Sequence, residues 1–123
     1  MVPLSERIKK VSETVKELVS EIVQRKIKDP RVNFVTITAS EVSPDLKEAK
    51  IYFTTLGGPK KRAEALEALT HAASFIRGEL GKRIATKYTP HLTFYYDESI
   101  ERALRIEKLI SKIERERSER SEG

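Results

Sequence analysis

Cysteine is absent from the 123 residues, which excludes a disulfide framework and any thiolate metal or redox site and suits a reducing compartment. Histidine is scarce. Only His71 and His91 occur, and no HExxH, Walker or nucleophile-elbow pattern accompanies them. His71 reads as a helix-flank residue and His91 as the start of a strand. Asp29, Asp45 and Asp97 are each accounted for by turn or cap chemistry, so no carboxylate pair is left for acid–base work. These absences argue against an enzyme, and no metal or cofactor is expected. Long apolar runs are missing too: nothing approaches the roughly 20 residues that cross a bilayer, and no charged-then-apolar signal segment opens the chain. The expectation is a cytoplasmic protein with no membrane partner.

What the sequence has in abundance is charge. Twenty-four Lys and Arg against 19 Asp and Glu leave a net +5 and a pI near 9.5. That balance is compatible with a polyanionic partner, although charge this dense also suits the ion-pair-rich surface of a thermophile protein. With 38% hydrophobic residues the chain supports one core and is too short for two comfortable domains. The reading is one domain over residues 1–113, followed by a polar tail, 114–123, expected to fray.

Hydrophobic periodicity divides that domain. Leu4, Ile8, Val11, Val15, Leu18 and Ile22 recur at alternating spacings of four and three, which predicts an amphipathic helix from about Ser5, as N-cap, to Lys26, ended by Asp29-Pro30. From Asn33 the period becomes two: Val35, Ile37 and Ala39 are assigned to one face and Thr36, Thr38 and Ser40 to the other. Ser43-Pro44-Asp45 is turn chemistry, and Ala49, Ile51 and Phe53 alternate in a second strand that completes an antiparallel hairpin. Pro59 opens the next helix, whose first turn, Lys60-Lys61-Arg62, opposes the helix dipole. Either these cations are merely solvated or an anion is expected beside them. Leu92, Phe94 and Tyr96 define a third strand. Asp97 then caps a final helix with a seam of Ala103, Ile106, Ile110 and Ile113. Tyr52 and Tyr95, on the wetter strand positions, are expected to pack against that helix.

The stretch between Pro59 and Ala85 resists a single straight helix. Leu66, Leu69, Ala73, Ile76, Leu80 and Ile84 share one side, but Phe75 then points into water and Arg77 sits near the middle of the apolar seam. A break near Ser74 relieves both. With it, Arg77 moves to a flank and, with Lys82, Arg83 and Lys87, forms a cationic edge not required by the core. Such an edge suits phosphate contacts that supply affinity without reading bases.

Three segments in order, "IKDPRVNFVTIT", "EVSPDLKEAKIYFTTLG" and "TPHLTFYYDESIERALRIEKLI", resemble the characteristic segments of the ribosome-binding factor A family, and the resemblance spans about Ser5 to Ile113. It implies an α+β fold of the type II KH-like kind: a three-stranded sheet with helices packed on one face. A helix-kink-helix is implied in place of the GxxG loop by which KH domains clamp RNA. The kink falls on Ala72-Ala73-Ser74, where Ser74 stands in place of the family's usual glycine. The resemblance further implies a non-enzymatic assembly factor, monomeric when free, that binds the immature 30S subunit and its 16S rRNA and assists late maturation, notably in the cold. The candidate RNA-binding residues are Arg77, Lys82, Arg83 and Lys87, with Lys28, Arg31, Lys60, Lys61 and Arg62 as a second set. The alternative is a protein-interaction module whose basic edge is only solvated.

Overall fold

Apolar residues at helical spacing need a surface to cover, and the first helix finds it in the sheet. The computed structural model describes residues 3–122. Helix α1 (Leu4–Lys26) buries Val15, Val19, Ile22 and Val23, all in its C-terminal half, while Leu4 stays exposed. The helix starts one residue before Ser5, with the Pro3 carbonyl accepting from the Glu6 and Arg7 amides and no side-chain cap. A 3-10 turn, Pro30–Val32, follows, capped by the Asp29 carboxylate, which accepts from the Arg31 amide at 3.0 Å.

Strands β1 (Thr36–Val42) and β2 (Glu48–Thr54) form the expected antiparallel hairpin. Its turn is held by Ser43 and Asp45: the Ser43 hydroxyl donates to Asp45, which also accepts from the Lys47 amide, while Leu46 takes a positive φ of 64°. The strict alternation predicted for β1 does not survive. Ile37 pairs with Phe53 but Ala39 pairs with Tyr52, so Thr38 is an extra residue, a β-bulge. One inserted residue reverses the parity of everything after it. Ser40 and Val42 therefore share the register of the core residues Ile51 and Ala49, whereas Ala39 and Glu41 stand opposite Tyr52 and Lys50 on the other face.

Helix α2 (Pro59–Gly81) crosses over to β3 (His91–Tyr96), which pairs in parallel with β2 to give a mixed sheet of order β1-β2-β3. The core lies between this sheet and α1 and α2. Phe53, Ile51, Ile22, Leu69, Ile76 and Leu80 are fully buried there, with Val32, Val35 and Phe94 closing its margins.

Two expectations about the helices are corrected. First, Ala72, Ala73 and Ser74 lie inside one continuous helix, α2, rather than at a gap between two helices, so a change of direction there is a bend within the helix and not a break. Second, the helices do not all pack on one face. Helix α3 (Ser99–Glu122) leaves the sheet after its first turn, and Ile106, Ile110 and Ile113 are about half exposed. It consequently does not cover Tyr52 and Tyr95, which pack on each other with ring centroids 5.8 Å apart. The polar stretch after Ile113 is helical as far as Glu122. The α3 root is nonetheless firmly held. Asp97 accepts from the Ser99 amide at 2.9 Å and from the bulge residue Thr38 at 2.7 Å. The Arg62 guanidinium lies 4.4 Å from the centre of the Tyr96 ring and pairs with Glu101.

Phe53→Ala should lower unfolding stability by about 3–5 kcal/mol in urea titration, since the site is fully enclosed. Ile110→Ala, on the half-exposed face of α3, should stay within about 1 kcal/mol. Equal losses would show that α3 belongs to the core. Acid provides a second check. Hydrogen bonds from Ser99 and Thr38 hold the Asp97 carboxyl below the usual carboxylate range. Its stabilising contribution is therefore complete above an unfolded pKa of about 3.9 and is lost as pH falls through the lower folded value. Melting temperatures measured between about pH 5 and pH 2.5 should fall less steeply for Asp97→Asn than for the natural protein; parallel curves would remove Asp97 from the acid response.

Candidate nucleic-acid interface

The chain's cations fall into those used internally and those left to solvent, and the division does not follow the sequence-based expectation. Arg77 is the clearest case. It does lie on the inner side of α2, and its guanidinium donates to the Thr89 carbonyl at 2.9 Å and to the Pro90 carbonyl at 3.3 Å. A half-buried arginine here satisfies carbonyls of the segment that leads into β3, whose Pro90 is fully buried. Arg77 is thus tied to the fold rather than standing free on a cationic edge. Gly81 lies in the same packing: a Cβ there would come within 2.9 Å of the Thr89 hydroxyl.

Other candidates are similarly engaged. Arg31 forms a two-pronged contact with Asp29, at 2.7 Å for the closest pair, and Arg62 is taken up by Glu101 and Tyr96. Arg83 lies 3.3 Å from Glu21 and Lys82 lies 3.1 Å from Glu79. The Lys82 contact, helped by nearby Lys26 and Arg83, holds the Glu79 carboxyl below its ordinary range. Lys61 reaches Glu64 only at 3.8 Å, and its stem occupies the space that a Cβ at Gly57, whose φ is 104°, would need. Among the described residues Lys28, Lys60 and Lys87 make no ion pair, and all three are exposed.

Two shallow grooves flank the middle of α2. One, of about 670 Å³, runs between the end of α1 and α2 and is lined by Lys26, Lys28, His71, Ala72 and Phe75. The other, of about 470 Å³, is lined by Ser74, Arg77, Gly78, Lys87 and Tyr88. Phe75 is 49% exposed in the first groove, beside two lysines. In the second, Tyr88 sits between Lys47 and Lys87, whose ammonium groups lie 5.3 and 5.4 Å from its ring centre. Ala72 and Ser74 therefore face different grooves. Sequence reasoning missed Lys26, Lys47, Phe75 and Tyr88 as partners of the predicted cations. Phe75 was legible as a residue off the apolar stripe, but the groove that receives it joins segments more than 40 positions apart.

A helix, a hairpin, a crossover helix and a third strand paired in parallel, with two helices on one face of the sheet, place the domain in the KH-like class of α+β folds. Comparison with known proteins narrows this. Residues 7–110 match the sequence profile of the family described as Ribosome-binding factor A. The chain is 40% identical over 119 residues to the ribosome-binding factor A of Halothermothrix orenii, covering 96% of this chain and 98% of that one. The crystal structure of ribosome-binding factor A from Thermus thermophilus shares the fold, with a TM-score of 0.65 at 24% identity over 72% of this chain and 94% of the other. A homology model of the Thermus thermophilus factor, as fitted into an electron cryo-microscopy map of its 30S complex, superposes with a TM-score of 0.59, also at 24% identity. It covers 71% of this chain and 91% of that one. The chain belongs to the ribosome-binding factor A family.

Arg77→Glu should destabilise the fold by about 1–3 kcal/mol, because it deletes the donors to Thr89 and Pro90 and sets a carboxylate against their carbonyls. Lys87→Glu, on the same groove but exposed, should leave the melting temperature nearly unchanged. Equal melting of the two variants would return Arg77 to the solvated edge.

Proposed function

We propose that this protein is a non-enzymatic assembly factor that docks reversibly on the immature 30S ribosomal subunit through phosphates of its 16S rRNA. The observation that carries the reading is the groove beside α2, where exposed Lys26 and Lys28 flank an exposed Phe75; among the described residues neither lysine makes an ion pair, and Asp29, which also lines the groove, is taken by Arg31. Flexible lysines displace counterions from a sugar–phosphate backbone, and an aromatic face offers a stacking surface to an unpaired base. Lys87 extends the cationic surface along the second groove, and Lys60 carries it to the start of α2. Arg31, Arg62 and Arg83 act on this reading mainly through the fold, by fixing the segments that carry the free lysines, whereas Lys82, 73% exposed in its pair with Glu79, remains part of the cationic surface.

Family membership and the 30S complex of the Thermus thermophilus factor support the subunit as target. Late maturation, greatest need in the cold, a cytoplasmic location and a monomeric free state complete the reading. Among the described residues no helix is long and apolar enough to cross a membrane. Deleting the gene should therefore raise the level of unprocessed 16S rRNA precursor, most strongly at low temperature.

The direct test is affinity for purified 30S subunits as a function of salt. Log affinity should fall linearly with log salt, and each phosphate contact removed should reduce the slope by about 1. The double variant Lys28→Glu, Lys87→Glu should bind at least about tenfold more weakly at fixed low salt with unchanged melting. Unchanged affinity in a folded variant would leave these lysines as a solvated face.

A further inference from the structure

Three of the most exposed large apolar side chains in the protein come together from separate segments. Phe34, after the 3-10 turn, is 66% exposed; Leu56, after β2, is 70% exposed; Ile100, in the first turn of α3, is 63% exposed. They line one cavity of about 540 Å³, together with Asn33, Thr55 and the ring of Tyr96. Phe34 and Leu56 also form a wall of an adjoining 360 Å³ cleft, so they stand as a ridge between two hollows. Apolar side chains held in water around a concave surface mark a contact site more often than a packing fault.

The occupant follows from charge and size. Among the described residues, the only charged ones that line the 540 Å³ cavity are two carboxylates, Asp97 and Glu101, and both are engaged, Glu101 by Arg62 and Asp97 by Thr38 and Ser99. The cations nearby, Arg31 beside Asp29 and the 68% exposed Lys61 at 3.8 Å from Glu64, line the adjoining cleft instead, so the cavity itself offers no cation to a phosphate. A polyanion gains little here, whereas a neutral apolar side chain meets a matching floor. The cavity is lined by 12 residues, against the roughly 20–30 a side of a stable dimer interface, which argues against a second copy of this chain. A patch so small becomes effective when another contact already holds the partner nearby, as linked sites share one effective concentration.

We propose that Phe34, Leu56 and Ile100 form a docking site for an apolar side chain of a protein component of the same particle whose RNA the groove beside α2 engages. This rests on the 30S reading above. The site gives the protein two contacts of different physical kind: one electrostatic and salt-dependent, the other apolar and salt-insensitive.

The test places the photo-crosslinking residue p-benzoylphenylalanine at Leu56 and irradiates the protein on purified 30S subunits after co-sedimentation. The expected product resists ribonuclease and is identified by mass spectrometry as an adduct with one ribosomal protein. An adduct destroyed by ribonuclease, an adduct of two copies of this chain, or no adduct from a protein that does co-sediment would each overturn the proposal. Failure of the unsubstituted protein to co-sediment would instead overturn the 30S reading and this one with it. A second measurement uses the double variant Phe34→Ser, Leu56→Ser, whose exposed positions leave melting intact. It should lose about tenfold in affinity while keeping the natural salt slope, since no phosphate contact is removed. A loss of slope, or undiminished affinity, would overturn the proposal equally.

Discussion

The parallel pairing of β3 with β2 is the constraint on which the rest of the domain depends. Parallel strands cannot be joined by a tight turn, so the chain must cross the sheet face through α2 and return by the segment that ends at Pro90. That return segment carries carbonyls which no ladder partner satisfies, and Arg77 supplies the donors. Once β3 is placed, Asp97 arrives beside Thr38 of β1 and fixes the root of α3, while Arg62 at the start of α2 meets Tyr96 at the end of β3. The grooves on either side of α2 exist because this helix is pinned at both ends.

The same contacts explain why a net charge of +5 understates how selective the surface is. Arg31, Arg62, Arg77 and Arg83, the arginines set between elements of the body, have carboxylate, carbonyl or aromatic partners, in keeping with a planar guanidinium that binds several acceptors at once. The cations left free are mainly lysines, compact and strongly hydrated, on long flexible stems. Arginine here builds the frame, and lysine is left available for solvent or for a mobile polyanion.

Much of this was legible in the sequence, and the failures share one physical cause. The helix of α1, the hairpin, the third strand and the Asp97 cap follow from local periodicity and turn chemistry, and all are present. Local patterns say nothing about a partner 12 residues away, so Arg77 read as a misplaced charge that needed a broken helix, whereas the carbonyls of Thr89 and Pro90 make an unbroken one comfortable. Phe75 misled for the same reason, since a groove built with residues 26–30 receives it. The parity error in β1 is of another kind. A bulge inserts one residue without any residue type that announces it, and Thr38 looks like an ordinary alternating threonine until Asp97 is in place to accept its hydroxyl. Of the candidate site, Lys28, Lys60 and Lys87 could be read as cations, but which cations stay free is a property of the assembled fold.

The last consequence concerns α3. A helix with Ile106, Leu109, Ile110 and Ile113 about half exposed gains no packing energy from the domain, so its apolar stripe is not explained by folding. Its root is nevertheless fixed by Asp97, Arg62 and Tyr96, and of these Asp97 and Tyr96 border the hollow formed with Phe34, Leu56 and Ile100. A helix anchored rigidly at one end and bare along its length has its direction set by the body. The hollow at its foot is built from the root of α3 and the body, with no described residue beyond Glu101 lining it. That separation lets the apolar hollow and the cationic grooves be preformed together, so that binding through both orders little additional chain and loses little affinity to that cost.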